Sequence, residues 1–242
     1  MNRTEQQSYC PRCRVWTYYP AGGHHYRWCD EILLPLNSKG EPVTPPKQSE
    51  LLSIVIMAHP RRRDMAEDVA KALECPIVWD EKNNLWDTCS RAWKHGASIG
   101  SEWVLILQDD VIPTSDFRAK VEAFIQSHSQ KDCVFAFYTG EQSASRITAA
   151  QKAGKDFFEA GFIFNEVAIC MRSQHVGSMV RWCDERGAKN DQYITQWMRI
   201  ARLKCVHSIP SFVDHREGES IYRLNENRPN VAETRKAFVY EK

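Results

Sequence analysis

Two adjacent carboxylates, Asp109 and Asp110, follow the apolar run WVLIL at residues 103–107 after a single glutamine, Gln108. A continuous apolar run of this length predicts a buried β-strand, and Pro113 is expected to prevent further ladder pairing after it. An unpaired charge buried at the end of such a strand would cost several kcal/mol. A solvated acidic turn is one explanation, and a divalent cation bound by the two carboxylates is the other.

A basic segment follows an earlier apolar run. The run at residues 51–59 ends in His59, and a proline and three arginines come next. His59, Arg61 and Arg63 would then lie beside the start of a helix, where guanidinium groups and backbone amides both favour an anion such as a diphosphate. A solvated basic loop is the alternative.

The next predicted strand ends in an acid, and the helix predicted after it carries an arginine. Asp80 closes the segment at residues 75–80, and Arg91 lies on the helix predicted after it. An acid at the end of a second strand can hold a ribose or a base, as it does in dinucleotide-binding folds. We therefore assign Asp80 and Arg91 to nucleotide binding.

The segments that carry these residues alternate between strand-like and helix-like patterns. Strands are predicted at 51–59, 75–80, 103–107, 132–139, 161–171 (one strand or a tight pair) and 205–215. Helices are predicted from an Asp64 N-cap with Glu67 as its capping box, across 86–97, after Ser115, and at 176–183 and 191–203. Repeated β-α-β order predicts an α/β fold with a mixed, mostly parallel sheet flanked by helices, and ligands at the carboxyl ends of its strands.

Taken in order, the strand-end residues of segment 51–215 resemble the glycosyltransferase A (GT-A) fold. The acidic DxD element of that family corresponds to Gln108-Asp109-Asp110, and its late histidine to His215 in Val213-Asp214-His215. The resemblance implies a transferase that uses a nucleoside diphosphate sugar, such as a UDP-sugar. It implies Asp110 and His215 as ligands of Mn²⁺ or Mg²⁺, which neutralises charge on the departing diphosphate. With Gln108 in the first position, Asp109 would reach the ribose, or the metal through water.

The same resemblance implies an acceptor-side catalytic carboxylate at Asp191. In sugar-inverting members this group takes the proton from the attacking hydroxyl. The stretch Asn190-Asp191-Gln192 is also similar to retaining members, where the acid lies by the sugar. A helix N-cap role for Asp191 is compatible with either, and the stereochemistry stays open.

Residues 10–29 contain a spacing typical of a structural zinc site. Cys10 and Cys13 form a CxxC pair, Cys29 follows, and either His24 or His25 completes a tetrahedral set. So short a segment has too little apolar mass to fold without the metal. We therefore divide the chain into a zinc knuckle at 1–34, a proline-rich linker at 35–50, and a transferase domain at 51–242 with a polar C-terminal tail.

The zinc-knuckle segment also interleaves cations with flat rings: Arg12, Arg14, Trp16, Tyr18, Tyr19, Tyr26, Arg27 and Trp28. This composition is typical of surfaces that hold phosphates and stack bases, although the rings could instead pack against the main domain. The final segment PSFVDH at 210–215 is similar to phage-encoded transferases, some of which modify DNA. That similarity implies a hydroxymethylated pyrimidine in DNA as acceptor.

Three alternatives remain open at this point. A transferase for a surface saccharide or lipid-linked sugar would favour an amphipathic basic helix, which the sequence does not show. A zinc-dependent nucleic-acid-binding protein with an inactive core would bind DNA without using UDP-sugars. A nucleotidyltransferase would use the same carboxylates but consume a nucleoside triphosphate.

Composition restricts the location and the mode of nucleic-acid binding. A net charge of +1 means that any DNA contact must come from a local patch. No apolar stretch is long enough to cross a membrane, and the first ten residues lack the apolar segment that a signal peptide contains. Most of the nine cysteines lie within or beside apolar segments, which indicates buried thiols and a cytoplasmic location, the host cytoplasm if the protein is phage-encoded.

Overall fold

The structure is a computed structural model that describes residues 50–128, 132–216 and 236–240, together with the backbone of 8–10 and 15–17. Strands β1 (Ser8–Cys10) and β2 (Val15–Thr17) form an antiparallel pair with Cys10 opposite Val15. The other predicted zinc ligands, Cys13, His24, His25 and Cys29, lie outside the described residues, and so does most of the linker. The zinc knuckle and the division of the chain therefore stay predictions.

A seven-stranded mixed sheet forms the centre of the described chain. Its strands are β3 (Leu52–Ala58), β4 (Ile77–Trp79), β5 (Trp103–Gln108), β7 (Cys133–Ala136), β8 (Phe157–Ala160), β9 (Ala168–Arg172) and β10 (Lys204–Ser208), while β6 (Val111–Pro113) and β11 (Val213–His215) pair separately. The sheet order is β4-β3-β5-β9-β7-β10-β8. Five strands run in one direction, and β8 and β9 run against them, which confirms a mixed, mostly parallel sheet.

Helices cover both faces of this sheet. They are α1 (Arg63–Leu73), α2 (Leu85–Ser98), α3 (Phe117–His128), α4 (Ala144–Lys152), α5 (Ser173–Glu185) and α6 (Gln192–Ile200). Alternate side chains of β3 enter different cores: Ile54 and Ile56 belong to the cluster with α1 and α3, whereas Val55 and Met57 belong to the cluster with α2, α5 and α6. A strand buried on both faces needs apolar side chains at most positions, which explains the almost continuous apolar run. The buried hydroxyl of Ser53 donates to the carbonyl of Gly96 at 3.0 Å.

The first helix does not begin as the sequence predicted. The structure places Asp64 inside the first turn of α1, because the helix starts at Arg63 and Arg62 occupies the N-cap position without a capping side chain. Glu67 pairs with Arg63 at 3.2 Å instead of completing a capping box. The cap belongs to the preceding 3₁₀ turn Pro60–Arg62, where Nδ1 of His59 accepts from the amide of Arg61 at 3.1 Å.

The predicted strand 205–215 is two strands, and this difference matters for the site. β10 ends at Ser208, and β11 begins at Val213 in a separate antiparallel pair with β6. The expectation that Pro113 prevents pairing was wrong, because Pro113 lies opposite Val213 at the end of a short pair, where a missing amide donor is tolerated. The register places His215 opposite Val111, the residue after Asp110.

The segment 161–171 also differs from the expectation. Only Ala168–Arg172 is a strand, and it follows a loop rather than a tight pair, while the strand Phe157–Ala160 was not predicted. Among the described residues, no helix is both long enough and apolar enough to cross a bilayer.

Candidate functional site

The carboxylates of Asp109 and Asp110 lie at the carboxyl end of β5 and are only 5% and 2% exposed. The backbone amide of His59 donates to Oδ2 of Asp109 at 2.8 Å. Nη1 of Arg62 donates to Oδ1 of Asp109 at 2.9 Å and also contacts Oδ2 of Asp110. Burial excludes the solvated acidic turn, and the segment after β3 supplies the donors for both acids.

His215 reaches the same point from the last strand. Its Nε2 lies 3.1 Å from Oδ2 of Asp110, although the two atoms do not form a hydrogen bond. Nδ1 of His215 lies 2.8 Å from the carbonyl oxygen of Arg216, an acceptor only, so in the neutral ring Nδ1 carries the hydrogen and Nε2 carries a lone pair. The amide of Arg216 donates to the carbonyl of Asp110 at 2.8 Å and fixes this approach.

The charge and geometry of this cluster suit a divalent cation. Two buried carboxylates face one guanidinium, so one negative charge is in excess when His215 is neutral. Neighbouring ligands of an octahedral ion with bonds of about 2.1 Å lie about 3 Å apart, close to the separation of Asp110 and His215. Oxygen with one imidazole matches Mn²⁺ or Mg²⁺.

The protein alone supplies few ligands for such an ion. Within the part of the chain that the structure describes, no three His, Cys, Asp or Glu side chains are grouped as a metal site. Magnesium-type ions are commonly held by one or two carboxylates while substrate phosphates and water complete the shell. Asp110 and His215 therefore fit a cation that binds together with a diphosphate.

The structure distinguishes among the three consecutive arginines. Arg61 is exposed. Arg63 is also exposed, pairs with Glu67 and lies over the ring of Trp79 at 4.6 Å. Arg62, which the sequence analysis did not select, is the one whose guanidinium reaches the acidic pair. Three identical neighbours give no signal to choose among them, because only the direction of the 3₁₀ turn decides which one points inward.

Asp80 and Arg91 organise the turn after β4. The amide of Asp80 donates to the carbonyl of Ala58 at 2.7 Å, so Asp80 lies beside His59 at the same sheet edge. Its carboxylate accepts from the amides of Lys82 and Asn84, at 3.2 and 3.1 Å. The guanidinium of Arg91 binds Asp87 at 2.9 Å and the carbonyl of Trp79 at 2.7 Å. The structure brings neither side chain into contact with Asp109 or Asp110, and their nucleotide role stays a prediction.

A second pair of carboxyl groups, Asp191 and Glu166, lies at the same edge of the sheet. Asp191 is 8% exposed and precedes α6, but its side chain makes no capping hydrogen bond to that helix. Glu166 lies just before β9, where Nε2 of Gln108 donates to its carbonyl at 3.2 Å. Because β9 is antiparallel to β5, the start of β9 and the end of β5 meet at one edge.

Burial perturbs both of these groups. Desolvation, with the charge of Asp191 as the second cause, raises the pKa of Glu166 to about 8. Desolvation also raises the pKa of Asp191 to about 6, although the backbone amides of Asp191 and Gln192 oppose the shift. Two neighbouring acids with raised pKa values retain a proton between them near neutral pH, an arrangement suited to proton transfer. Glu166 was missed, and the signal for it was a lone acid within the apolar stretch 161–171.

Comparisons with known proteins do not identify the function of this site. No protein-family model matches the sequence. No curated protein matches it either. One similar solved structure is a protein from the virus STIV, with a TM-score of 0.46 and 10% identity over 69% of this chain and 86% of that chain. Another is a glycosyltransferase involved in the glycosylation of the major capsid of PBCV-1, with a TM-score of 0.43 and 12% identity over 72% and 99%. Similarities of this size assign no function, so the assignment depends on the site.

Proposed function

We propose that this chain is a metal-dependent glycosyltransferase that moves a sugar from a nucleoside diphosphate sugar, such as a UDP-sugar, to a hydroxyl group. The observation that carries the proposal is the approach of Nε2 of His215 to the buried carboxylate of Asp110 at the carboxyl end of β5, where Arg62 links Asp110 to Asp109. When His215 is neutral, two carboxylates and a single guanidinium leave one negative charge that a bound cation would balance.

The donor side of the proposed site is the segment around β5 and the start of α1. Asp110 and His215 would hold the cation, and Asp109 is kept in place by the amide of His59. A bound Mn²⁺ or Mg²⁺ would neutralise the negative charge that develops on the departing diphosphate. Arg61 and Arg62 lie just before α1, and in this proposal they would bind the same phosphates together with the helix amides.

The acceptor side is the pair Asp191 and Glu166. In an inverting transfer, ionised Asp191 accepts the proton of the attacking hydroxyl as the new glycosidic bond forms and the bond to the diphosphate breaks. Glu166, whose pKa lies higher, retains the shared proton and keeps the charge of the pair low. A retaining transfer would place the same acid beside the sugar, and the anomeric configuration of the product distinguishes the two.

We further propose DNA that carries hydroxymethylated pyrimidines as the acceptor. The support is the interleaved arginine and aromatic composition of residues 12–28 and the similarity of segment 210–215 to phage-encoded transferases. An enzyme that acts on a base within a duplex must extrude it, and flat rings beside cations favour an extruded base and its flanking phosphates. Unmodified DNA lacks the hydroxyl, so it is expected to bind without reacting.

The test is incubation of hydroxymethylated and unmodified duplexes with several UDP-sugars and Mn²⁺, followed by mass spectrometry of the released nucleosides. A hexose or pentose added only to the hydroxymethylated base supports the proposal. Asp110→Ala is expected to abolish transfer, whereas Asp64→Ala, which removes an exposed acid from α1, is expected to retain it. Full Mn²⁺-dependent transfer by Asp110→Ala would refute the cation site.

Two other outcomes decide between the remaining functions. Transfer to a soluble saccharide with no sugar on any hydroxymethylated base would favour a transferase for surface saccharides. Binding of DNA without turnover or hydrolysis of any nucleotide sugar would favour a nucleic-acid-binding protein.

A further inference from the structure

We propose that the guanidinium of Arg62 occupies the cation's place against Asp109 and Asp110 in the unliganded chain, and moves to the donor's diphosphate when the cation binds. Metal and nucleotide would then bind as a coupled pair. The proposal rests on the proposed function, since it requires a divalent cation and a diphosphate at this site.

The overlap of the two positive groups follows from one shared atom. Nη1 of Arg62 contacts Oδ2 of Asp110, and that same oxygen lies 3.1 Å from Nε2 of His215. Oδ2 is thus the oxygen of Asp110 that faces His215, and a cation bound between these two atoms would bond to the oxygen that Arg62 already contacts. A guanidinium and a divalent ion on one oxygen repel each other at short range in a buried site, where screening is weak. The two groups exclude each other.

The site tolerates the departure of Arg62. Asp109 keeps the backbone amide of His59 at 2.8 Å, so its carboxylate remains hydrogen-bonded. Asp110 exchanges the guanidinium for the cation. The side chain of Arg62 is 15% exposed, so one side of it is open to solvent and it can move without repacking the core. Its backbone stays anchored, because its amide donates to the carbonyl of His59 at 2.9 Å.

The destination of the displaced guanidinium lies close by. Arg62 immediately precedes α1, whose eleven residues begin at Arg63. A phosphate group bound to the cation would present its other oxygens to this helix start, where amides and Arg62 can donate to it. Arg63 is held differently, by Glu67 and the ring of Trp79. Arg62 is therefore the residue that can exchange a carboxylate partner for a phosphate partner.

This exchange has a thermodynamic consequence that can be measured without turnover. Metal alone must displace Arg62 into solvent, whereas metal with diphosphate gives Arg62 a new partner. UDP should therefore tighten Mn²⁺ binding, and Mn²⁺ should tighten UDP binding by the same factor. We expect a factor of roughly 10 or more in the wild-type chain. Without the guanidinium at position 62, Mn²⁺ should bind the nucleotide-free chain more tightly and the coupling should shrink.

The experiment measures Mn²⁺ binding by electron paramagnetic resonance, with and without UDP, for the wild type, Arg62→Gln and Lys71→Gln. Lys71 is an exposed cation in α1, so it controls for the loss of one positive charge. Arg62→Gln is expected to bind Mn²⁺ alone roughly tenfold more tightly than the wild type, with a smaller effect of UDP. Lys71→Gln is expected to resemble the wild type in both respects.

Each contrary result overturns a stated part of the reasoning. If Arg62→Gln binds Mn²⁺ no more tightly than the wild type, while Asp110→Ala loses binding, the competition is wrong and the cation site stands. If UDP does not change the Mn²⁺ affinity of the wild type, the coupling is wrong, and this measurement needs no variant. If neither the wild type nor Arg62→Gln binds Mn²⁺ with or without UDP, the proposed metal-dependent function fails as well. If Arg62→Gln does not fold, Arg62→Met provides the same comparison, because methionine keeps a long unbranched side chain and removes the positive charge.

Discussion

Replacement of Glu166 by Gln should stabilise the fold at alkaline pH, because the ionised carboxylate is disfavoured where it is buried. Burial and the charge of Asp191 raise the pKa of Glu166 from an ordinary 4.5 to about 8. At pH values between about 4.5 and about 8, the folded chain keeps the proton on Glu166 while the unfolded chain releases it. The contribution of Glu166 to the free energy of unfolding therefore falls as the pH rises from about 4.5 to about 8. Glu166→Gln removes this loss while it keeps the shape of the side chain.

The magnitude follows from the size of the shift. One pKa unit corresponds to about 1.4 kcal/mol, so the shift sets a ceiling of about 5 kcal/mol. Glu166 keeps some exposure to solvent and shares the effect with Asp191, so we expect less than half of the ceiling, about 2 kcal/mol at pH 8. For a chain of this size that is a rise in Tm of about 4–8 °C. At pH 5 the difference should nearly vanish, because Glu166 is then protonated in the folded wild type.

The assay is urea unfolding of the wild type, Glu166→Gln and Glu141→Gln at four pH values from 5 to 8. Glu141 is exposed, so its replacement controls for the general loss of a carboxylate. The quantity of interest is the difference in unfolding free energy between variant and wild type at each pH, since other titrating groups cancel in it. A pH-independent difference for Glu166→Gln, or a variant less stable than the wild type at pH 8, would refute the buried carboxyl pair.

Three further predictions test the cation site, the core and the zinc knuckle. His215→Ala should weaken UDP binding, measured by calorimetry, at least tenfold in the presence of Mn²⁺ and leave UDP binding without metal unchanged, since His215 would act through the proposed cation. Equal losses in both conditions would contradict this role. Gly96→Ala should lower the free energy of unfolding in urea by about 1–3 kcal/mol despite the better helix propensity of alanine, because the added Cβ would clash with Cγ1 of Val104. An unchanged or higher free energy of unfolding would count against the packing. Metal analysis should find about one Zn²⁺ per chain in the wild type and none in Cys13→Ser, and retention of zinc by the variant would exclude Cys13 as a ligand.

Several features of the fold could be predicted from local patterns. The strands Leu52–Ala58 and Trp103–Gln108 were predicted because strands buried on both faces carry apolar side chains at nearly every position. The helix Leu85–Ser98 was predicted from tryptophan and cysteine at helical spacing. The order of these elements then predicted a mostly parallel sheet with polar residues at its carboxyl edge, and Asp109 lies there as expected.

Other features depended on contacts that leave little trace in local sequence. The strand Phe157–Ala160 is short and partly exposed, so it lacks the apolar run that marked the inner strands. The proline at 113 suggested an end to pairing, yet the strand of His215 pairs there because only one backbone donor is missing. Helical periodicity also did not reveal that a 3₁₀ turn capped by His59 precedes α1, or that α1 itself begins without a capping side chain.

The residue types at the ends of the core strands could be identified from the sequence, because the requirement for burial applies to each segment separately. The sequence also contained a family resemblance that paired Asp110 with His215. How these two residues meet depends on tertiary contacts, namely the β6–β11 register that places His215 opposite Val111. It also selected Arg62 over its two neighbours and brought Glu166 to the edge that Asp191 occupies. These contacts join segments far apart in the chain, and their geometry depends on strand register and turn direction, which no local pattern encodes.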